Sequence, residues 1–145
     1  MSFQTDFLTA ICEYLNAQGV ATWNPTGAGY ATANNPIYWD VLPAFPDTVT
    51  AASLYTVDDE AGPMTITGLQ LISRGPPNNR TVTKTNTDKA FENLHGLERA
   101  VWAGSEVIRV WRQSSASLGV DGNNRQETSS NFYIQHTRFS PLRTD

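Results

Sequence analysis

Residues 110–136 read VWRQSSASLGVDGNNRQETSSNFYIQH, and this stretch decides how the C-terminal half of the chain folds. Both of its ends alternate large apolar and polar residues, which is typical of β-strands. Its middle, residues 114–128, is polar, and its large apolar residues there are Leu118 and Val120. A polar segment of this length exceeds any tight turn, so we expect a loop that becomes ordered on a partner. The alternative is a long β-hairpin whose tip extends into solvent.

The elements around this stretch predict the fold class. Helical spacing of apolar residues predicts helices over residues 3–18 and 80–94. Alternating or β-branched segments predict strands over residues 37–42, 49–57, 64–74, 97–103, 105–113 and 129–139. Because strands and helices do not alternate as βαβ units, we predict an α+β fold with two helices packed on one face of a mostly antiparallel mixed sheet.

Two finer features follow from the same patterns. The apolar alternation of residues 64–74 changes phase at Gly68, which predicts a β-bulge there. Residues 21–36 are rich in Gly, Pro, Asn and Thr, which predicts an irregular surface loop. We expect the first helix to pack on the sheet through a core of Phe7, Ile11, Leu15, Leu69, Leu71, Val110 and Tyr133.

Length and composition limit the classes of protein. The chain has 145 residues, of which 39% are hydrophobic and 17% charged, which favours one globular domain over residues 1–145. No apolar run is long enough to span a bilayer, and an acidic residue stands where a secretory signal carries basic ones. We therefore expect a protein of the cytoplasm without a membrane partner. The single cysteine, Cys12, is expected to fill the core beside Leu8 and Leu15.

Charge is divided unevenly along the chain. Residues 1–63 hold seven acidic and no basic side chains, whereas residues 64–145 hold ten basic and seven acidic ones. Such a division can give a subunit one acidic and one basic surface, which suits head-to-tail contact between copies. The basic residues stand singly and never form a run, which argues against sequence-specific binding of nucleic acid.

A search for catalytic motifs finds little. The sequence contains no dinucleotide fingerprint, no phosphate-binding loop and no nucleophile elbow. His95 and His136 are interpreted as structural residues, and the consecutive carboxylates Asp58, Asp59 and Glu60 as a solvated turn. We therefore predict a protein that is not an enzyme and that binds no cofactor and no metal. A small metal-dependent enzyme using these carboxylates with a histidine stays open as the alternative from another class.

Four segments carry a resemblance to a known family. They are FLTAICEYLNAQGVATWNP (7–25), LQLISRG (69–75), AFENLHGL (90–97) and VWRQSSASLGVDGNNRQETSSNFYIQ (110–135). In this order and spacing, the chain from Phe3 to about Arg138 resembles the phage minor capsid and tail terminator family of long-tailed bacteriophages.

The resemblance implies a structural protein of the virion that is assembled in the host cytoplasm. Family members form a hexameric ring on the last ring of the tail tube, stop its growth and present a surface to the head. The implied partners are further copies of the chain, the tail tube protein and the head–tail connector protein. A head-completion or neck adaptor protein of the same virion is the alternative within this class.

Opposite charges suggest which residues meet in such a ring. The candidate interface residues are Asp58, Asp59 and Glu60 on the acidic side, Arg112 and Arg125 on the basic side, and Asp121 of the polar segment. We expect Arg125 to be exposed, so that its substitution by glutamate leaves the subunit folded and stops ring closure.

Overall fold

The computed structural model describes residues 2–25, 34–59, 64–139 and 141–142. Two helices and six strands occur in these residues, in the order α1 (Phe3–Ala17), β1 (Ile37–Trp39), β2 (Val49–Asp59), β3 (Met64–Pro77), α2 (Arg80–Leu94), β4 (Ala100–Trp102), β5 (Ser105–Val120) and β6 (Arg125–Thr137). Both predicted helices are confirmed to within one residue. Residues 26–33 of the predicted loop lie outside the described residues.

The six strands form one mixed sheet in the order β1-β2-β3-β6-β5-β4. β1 pairs with β2 in parallel, and the pairings β2–β3, β3–β6, β5–β6 and β4–β5 are antiparallel. The prediction of an α+β fold is therefore confirmed. The four long strands β2, β3, β6 and β5 lie side by side, and the short strands β1 and β4 cover part of the two outer edges.

α1 begins and ends where its sequence predicts. The Ser2 side chain accepts a hydrogen bond from the Thr5 backbone N–H at 3.1 Å, which caps the first turn. Gly19 has a φ of +73°, and this left-handed conformation lets the chain leave the helix. Phe7, Ile11 and Leu15 are fully buried on the face that packs on the sheet.

The core combines α1, α2 and one face of the sheet. Its buried side chains include Phe7, Ile11, Leu15, Leu69, Leu71, Leu94, Val107, Val110, Phe132 and Ile134. The prediction that Tyr133 belongs to this core is wrong. Side chains alternate between the faces of a strand, and Phe132 and Ile134 occupy the inward positions of β6. Tyr133 is half-buried on the opposite face, where its ring contacts Trp111 edge to face.

The predicted β-bulge at Gly68 is also wrong. Gly68 pairs in regular register with Tyr55 of β2 and Tyr133 of β6. A side chain at this position would overlap the Tyr55 ring, so the absence of a side chain leaves room for that ring over the strand. The irregularity lies in β2 itself, between Thr56 and Asp58.

The polar segment 114–128 is not a loop. β5 continues to Val120, β6 begins at Arg125, and only residues 121–124 turn between them. Asp121 Oδ1 accepts hydrogen bonds from the backbone N–H groups of Asn123 and Arg125, both at 2.9 Å. Asn124 takes the left-handed conformation, with a φ of +58°. The alternative of a long β-hairpin is therefore the observed structure, and β3 supports it along the other side of β6.

α2 packs through an unusually polar face. Its buried residues are Thr83, Thr87, Ala90 and Leu94. The Thr83 hydroxyl donates to the Gln126 carbonyl oxygen at 3.1 Å, and Tyr14 Oη of α1 donates to the Asn93 carbonyl oxygen at 2.5 Å. No side chain caps the N-terminus of α2. The helix is therefore held by tertiary contacts more than by its own sequence. Neither described helix is long and apolar enough to cross a membrane.

His136 lies fully buried among core aromatics. Its ring centroid is 4.5 Å from that of Phe7, and its Nε2 is 2.7 Å from Thr67 Oγ1. Nδ1 is 2.9 Å from both the Thr137 carbonyl oxygen and Ser105 Oγ, so each ring nitrogen has a hydrogen-bonding partner. Burial lowers the pKa of His136, and the nearby positive charge of Arg138 lowers it further. The hydrogen bond with Thr137 and the negative charge of Asp59 raise it, but the net shift is downward.

We expect His136 to make the fold less stable in mild acid. A histidine whose folded-state pKa is lowered binds fewer protons when folded, so its contribution is complete above about pH 6.5 and is lost as the pH falls below it. Urea unfolding between about pH 7.5 and 5.5 should show a slope of up to about 1.4 kcal/mol per pH unit. His136→Gln should remove this slope and the control His95→Gln should retain it. An equal slope in both variants would contradict the assignment.

Candidate assembly interface

The acidic candidates lie at the end of β2, toward one edge of the sheet. Asp58 and Asp59 are exposed. The Thr65 hydroxyl lies 2.5 Å from Asp59 Oδ1 and 2.8 Å from the Asp58 carbonyl oxygen, which fixes the end of the strand. Asp59 pairs with Thr65, a buried residue, so its side chain is on the helix-bearing side of the sheet. Glu60 lies outside the described residues.

The basic candidate Arg112 lies on β5, toward the opposite edge of the sheet. Its guanidinium stands 4.3 Å from the centre of the Phe91 ring, and its backbone N–H donates to His95 Nδ1 at 3.0 Å. Arg112 pairs with the buried Phe132 of β6, so it also points to the helix-bearing side. The strands β3 and β6 separate it from Asp58 and Asp59. The structure therefore keeps the acidic and basic candidates apart, as a head-to-tail contact requires.

A polar groove runs between α2 and β5 beside Arg112. Its volume is about 300 Å³, and its lining residues are Lys84, Thr87, Asp88, Arg112, Ser115, Ala116, Ser117 and Thr128. In the part of the chain that the structure describes, neither Lys84 nor Arg112 forms an ion pair. The groove thus offers two cations, one carboxylate and several hydroxyl groups to a chain laid along β5.

Arg125 is the main correction among the candidates. It is 5% exposed, so the expectation that its side chain faces a neighbouring subunit is wrong. Its Nε and Nη2 contact Asp121 Oδ2, each at 2.8 Å, and its Nη1 contacts Asp47 Oδ1 at 3.1 Å and the Ala44 carbonyl oxygen at 2.7 Å. The pKa of Asp121 is lowered mainly by the hydrogen bond from the Arg125 backbone N–H. Hydrogen bonds from the Asn123 backbone and the Arg125 side chain lower it further. Asp121 and Arg125 therefore bind within one subunit.

A second buried arginine holds the same region. Arg74 of β3 is 3% exposed and donates to the backbone carbonyl oxygens of Pro43, Pro46 and Asp47, at 2.6, 2.8 and 3.0 Å. The guanidinium groups of Arg74 and Arg125 thus both hold residues 40–48, which we call the proline loop. The loop exposes Val41 and Phe45, whose exposed fractions are 62% and 69%. Sequence reasoning missed this feature, for which the two prolines were the available signal.

The described residues give no support to a metal or nucleophilic site. Within the ranges 2–25, 34–59, 64–139 and 141–142, no three His, Cys, Asp or Glu side chains come close enough to hold a metal ion. The His95 ring stacks on Phe91, whereas His136 lies in the core. Burial raises the pKa of the Cys12 thiol to about 12, so the cysteine stays protonated and fills the core as predicted.

A folded subunit with an acidic strand edge on one side and a basic groove on the other is typical of a structural protein that binds copies of itself or other subunits. The sequence matches a family model described as bacteriophage tail terminator protein over residues 14–138. The chain therefore belongs to the bacteriophage tail terminator family, as the sequence resemblance indicated, and it is a structural component of the virion.

Comparison of structures gives the same fold. The chain is similar to a chain in a solved structure entitled "Virion of native gene transfer agent (GTA) particle", with a TM-score of 0.63 and 13% sequence identity. The similarity covers 94% of this chain and 99% of that chain. At this identity the match supports the fold. No curated protein matches the sequence.

Proposed function

We propose that six copies of this protein form a ring on the last ring of the tail tube, stop elongation of the tube and join it to the head connector. Membership of the tail terminator family is the observation that carries this function. Assembly takes place in the host cytoplasm, and the partners are further copies of the chain, the tail tube protein and the head–tail connector protein. Because the family consists of structural virion proteins, family membership does not support the alternative of a metal-dependent enzyme.

The distribution of charge supports a closed ring. A ring needs a heterologous contact, in which one surface of a subunit meets a different surface of the next. Asp58 and Asp59 supply an acidic surface at one edge of the sheet, and Arg112 with Lys84 supplies a basic one toward the other edge. Arg125 binds both Asp121 and Asp47, so we assign Asp121 and Arg125 to the stability of the subunit.

The direct test is loss of the gene in a phage that encodes the protein. We expect lysates to contain tails of uncontrolled length that are not joined to heads, and a plasmid copy of the gene to restore uniform, head-joined tails. Electron microscopy measures both properties. Tails of normal length that merely fail to join heads would indicate the neck adaptor protein instead. Normal tails joined to filled heads would refute both functions.

In solution, we expect the isolated protein to be monomeric or weakly associated, and its association to weaken with salt. Contacts between exposed charges are screened as the Debye length falls from about 30 Å at 0.01 M to about 3 Å at 1 M ionic strength. Light scattering across this range measures the change. Arg112→Gln should weaken association at low salt, whereas Arg109→Gln, an exposed arginine stacked on Trp111, serves as the control. A stable dimer that is insensitive to salt would contradict a head-to-tail ring.

A further inference from the structure

Two long stretches of strand edge have no pairing partner among the described residues. On the outer side of β2, β1 pairs only with Thr50–Ala52, which leaves Ser53–Asp59 open. On the outer side of β5, β4 pairs with Ser105–Val107. Residues 95–99 then form hydrogen bonds with the β5 backbone, and the last β5 residue that they reach is Arg112. Gln113–Val120 is therefore open as well, and all of its residues are exposed.

The two open edges suit each other in direction and length. β2 and β5 lie on opposite sides of β3 and β6, and the three antiparallel pairings between them make β2 and β5 run in opposite directions. Rotation about a ring axis preserves the direction of each strand along that axis. The open edge of β2 in one copy therefore meets the open edge of β5 in the next copy as an antiparallel pair, and the two stretches have similar lengths.

Charge fixes the register of such a pair. When the strands run antiparallel, the end of β2 at Asp59 lies opposite the beginning of the open stretch of β5, next to Arg112 and Gln113. Asp59 and Arg112 both point to the helix-bearing side of the sheet. Lys84 lines the same groove nearer the hairpin turn, since its neighbour Thr83 bonds the Gln126 carbonyl oxygen. The carboxylate of one copy thus reaches the basic groove of the next.

We infer that neighbouring subunits join by antiparallel pairing of Ser53–Asp59 of one copy with Gln113–Val120 of the next, with Asp59 against Arg112. The ring then contains one continuous sheet. This pairing depends on the ring proposed above and specifies how it is held. The β-bulges of the two edges, between Thr56 and Asp58 and at positions 113 and 118, limit pairing to strands of matching shape, so we expect association to be weak outside the virion.

A cysteine pair tests the contact directly. Asp59→Cys combined with Arg112→Cys places the two thiols opposite each other on the helix-bearing side, and the intervening strands β3 and β6 prevent a bond within one copy. In virions made with this variant, mild oxidation should yield covalent multimers up to the hexamer on a non-reducing gel. The control pair Asp59→Cys with Lys89→Cys, exposed on α2, should stay monomeric. The native Cys12 is buried and should not react.

Charge exchange tests the register. Asp59→Arg and Arg112→Glu should each abolish head-joined tails of uniform length, and the double variant should restore them. Arg109→Glu is the control, because Arg109 stacks on Trp111 on the opposite face of the sheet. Uniform, head-joined tails in both single variants, or rings of the double-cysteine variant without disulfide-linked multimers, would overturn the strand pairing and leave the terminator function intact. Normal virions from a phage without the gene would overturn the function as well.

Discussion

Arg125→Glu is expected to destabilise the isolated subunit by about 3 to 5 kcal/mol, because it places an uncompensated carboxylate in a buried site. The new side chain would face Asp121 and Asp47, which now bind the Arg125 guanidinium. Arg74, the nearest other cation, already donates to three backbone carbonyl oxygens of the proline loop. Since small domains are stable by about 5 to 15 kcal/mol, the variant loses a large part of its stability.

Urea unfolding of the purified variant measures this loss. Arg80→Glu is the matched control, because Arg80 is exposed at the first position of α2 and its replacement should change stability by less than about 0.5 kcal/mol. An Arg125→Glu subunit as stable as the Arg80→Glu control would show that the side chain is not buried. If the expected loss is found, failed tail assembly in an Arg125→Glu phage reports misfolding and not a broken contact between subunits.

Leu71→Ala is expected to lower the free energy of unfolding by about 2 to 5 kcal/mol, because it removes buried methyl groups and leaves a cavity. Leu71 is 2% exposed in the centre of β3 and belongs to the cluster that joins α1 to the sheet. Its neighbours Ala52 in β2 and Ser130 in β6 are small and buried, so they offer little side chain to fill the space.

The control for this prediction is Leu142→Ala, since Leu142 is 95% exposed. Its loss of stability in the same urea titration should stay within about 0.5 kcal/mol. A loss below about 1 kcal/mol for Leu71→Ala would mean that the residue occupies the other face of the sheet, because a shift of one residue reverses the faces of a strand.

Periodic apolar patterns predicted most of the fold. The spacing of Phe7, Ile11 and Leu15 located α1, and apolar alternation located the inward Leu69 and Leu71 of β3 but not the inward Thr65. The polar half of the hairpin was not predictable in this way. Backbone pairing with both neighbours holds β6, and side-chain bonds such as Ser115 Oγ to the Ser129 carbonyl oxygen, at 3.0 Å, add to it. Such bonds form without any apolar signal in the sequence.

The sequence predicted the charges of the candidate interface residues but not their positions in the fold. Counting charges identified an acidic and a basic half, and the structure puts Asp59 and Arg112 on strands that lie toward opposite edges of the sheet. The burial of Arg125 could not be read from the sequence, because its partners Asp47 and Ala44 are 78 and 81 positions away. A lone arginine in a polar segment has the same local pattern whether it is exposed or buried.

The polar packing of α2 has a consequence for motion. A helix that buries two threonines among four residues, and whose N-cap residue Asn79 makes no side-chain cap, opens locally at a lower free-energy cost than one such as α1, which buries Phe7, Ile11 and Leu15. Amide hydrogen exchange should therefore be faster in α2 than in α1. Because α2 forms one wall of the groove beside β5, we expect these openings to change the width of the groove.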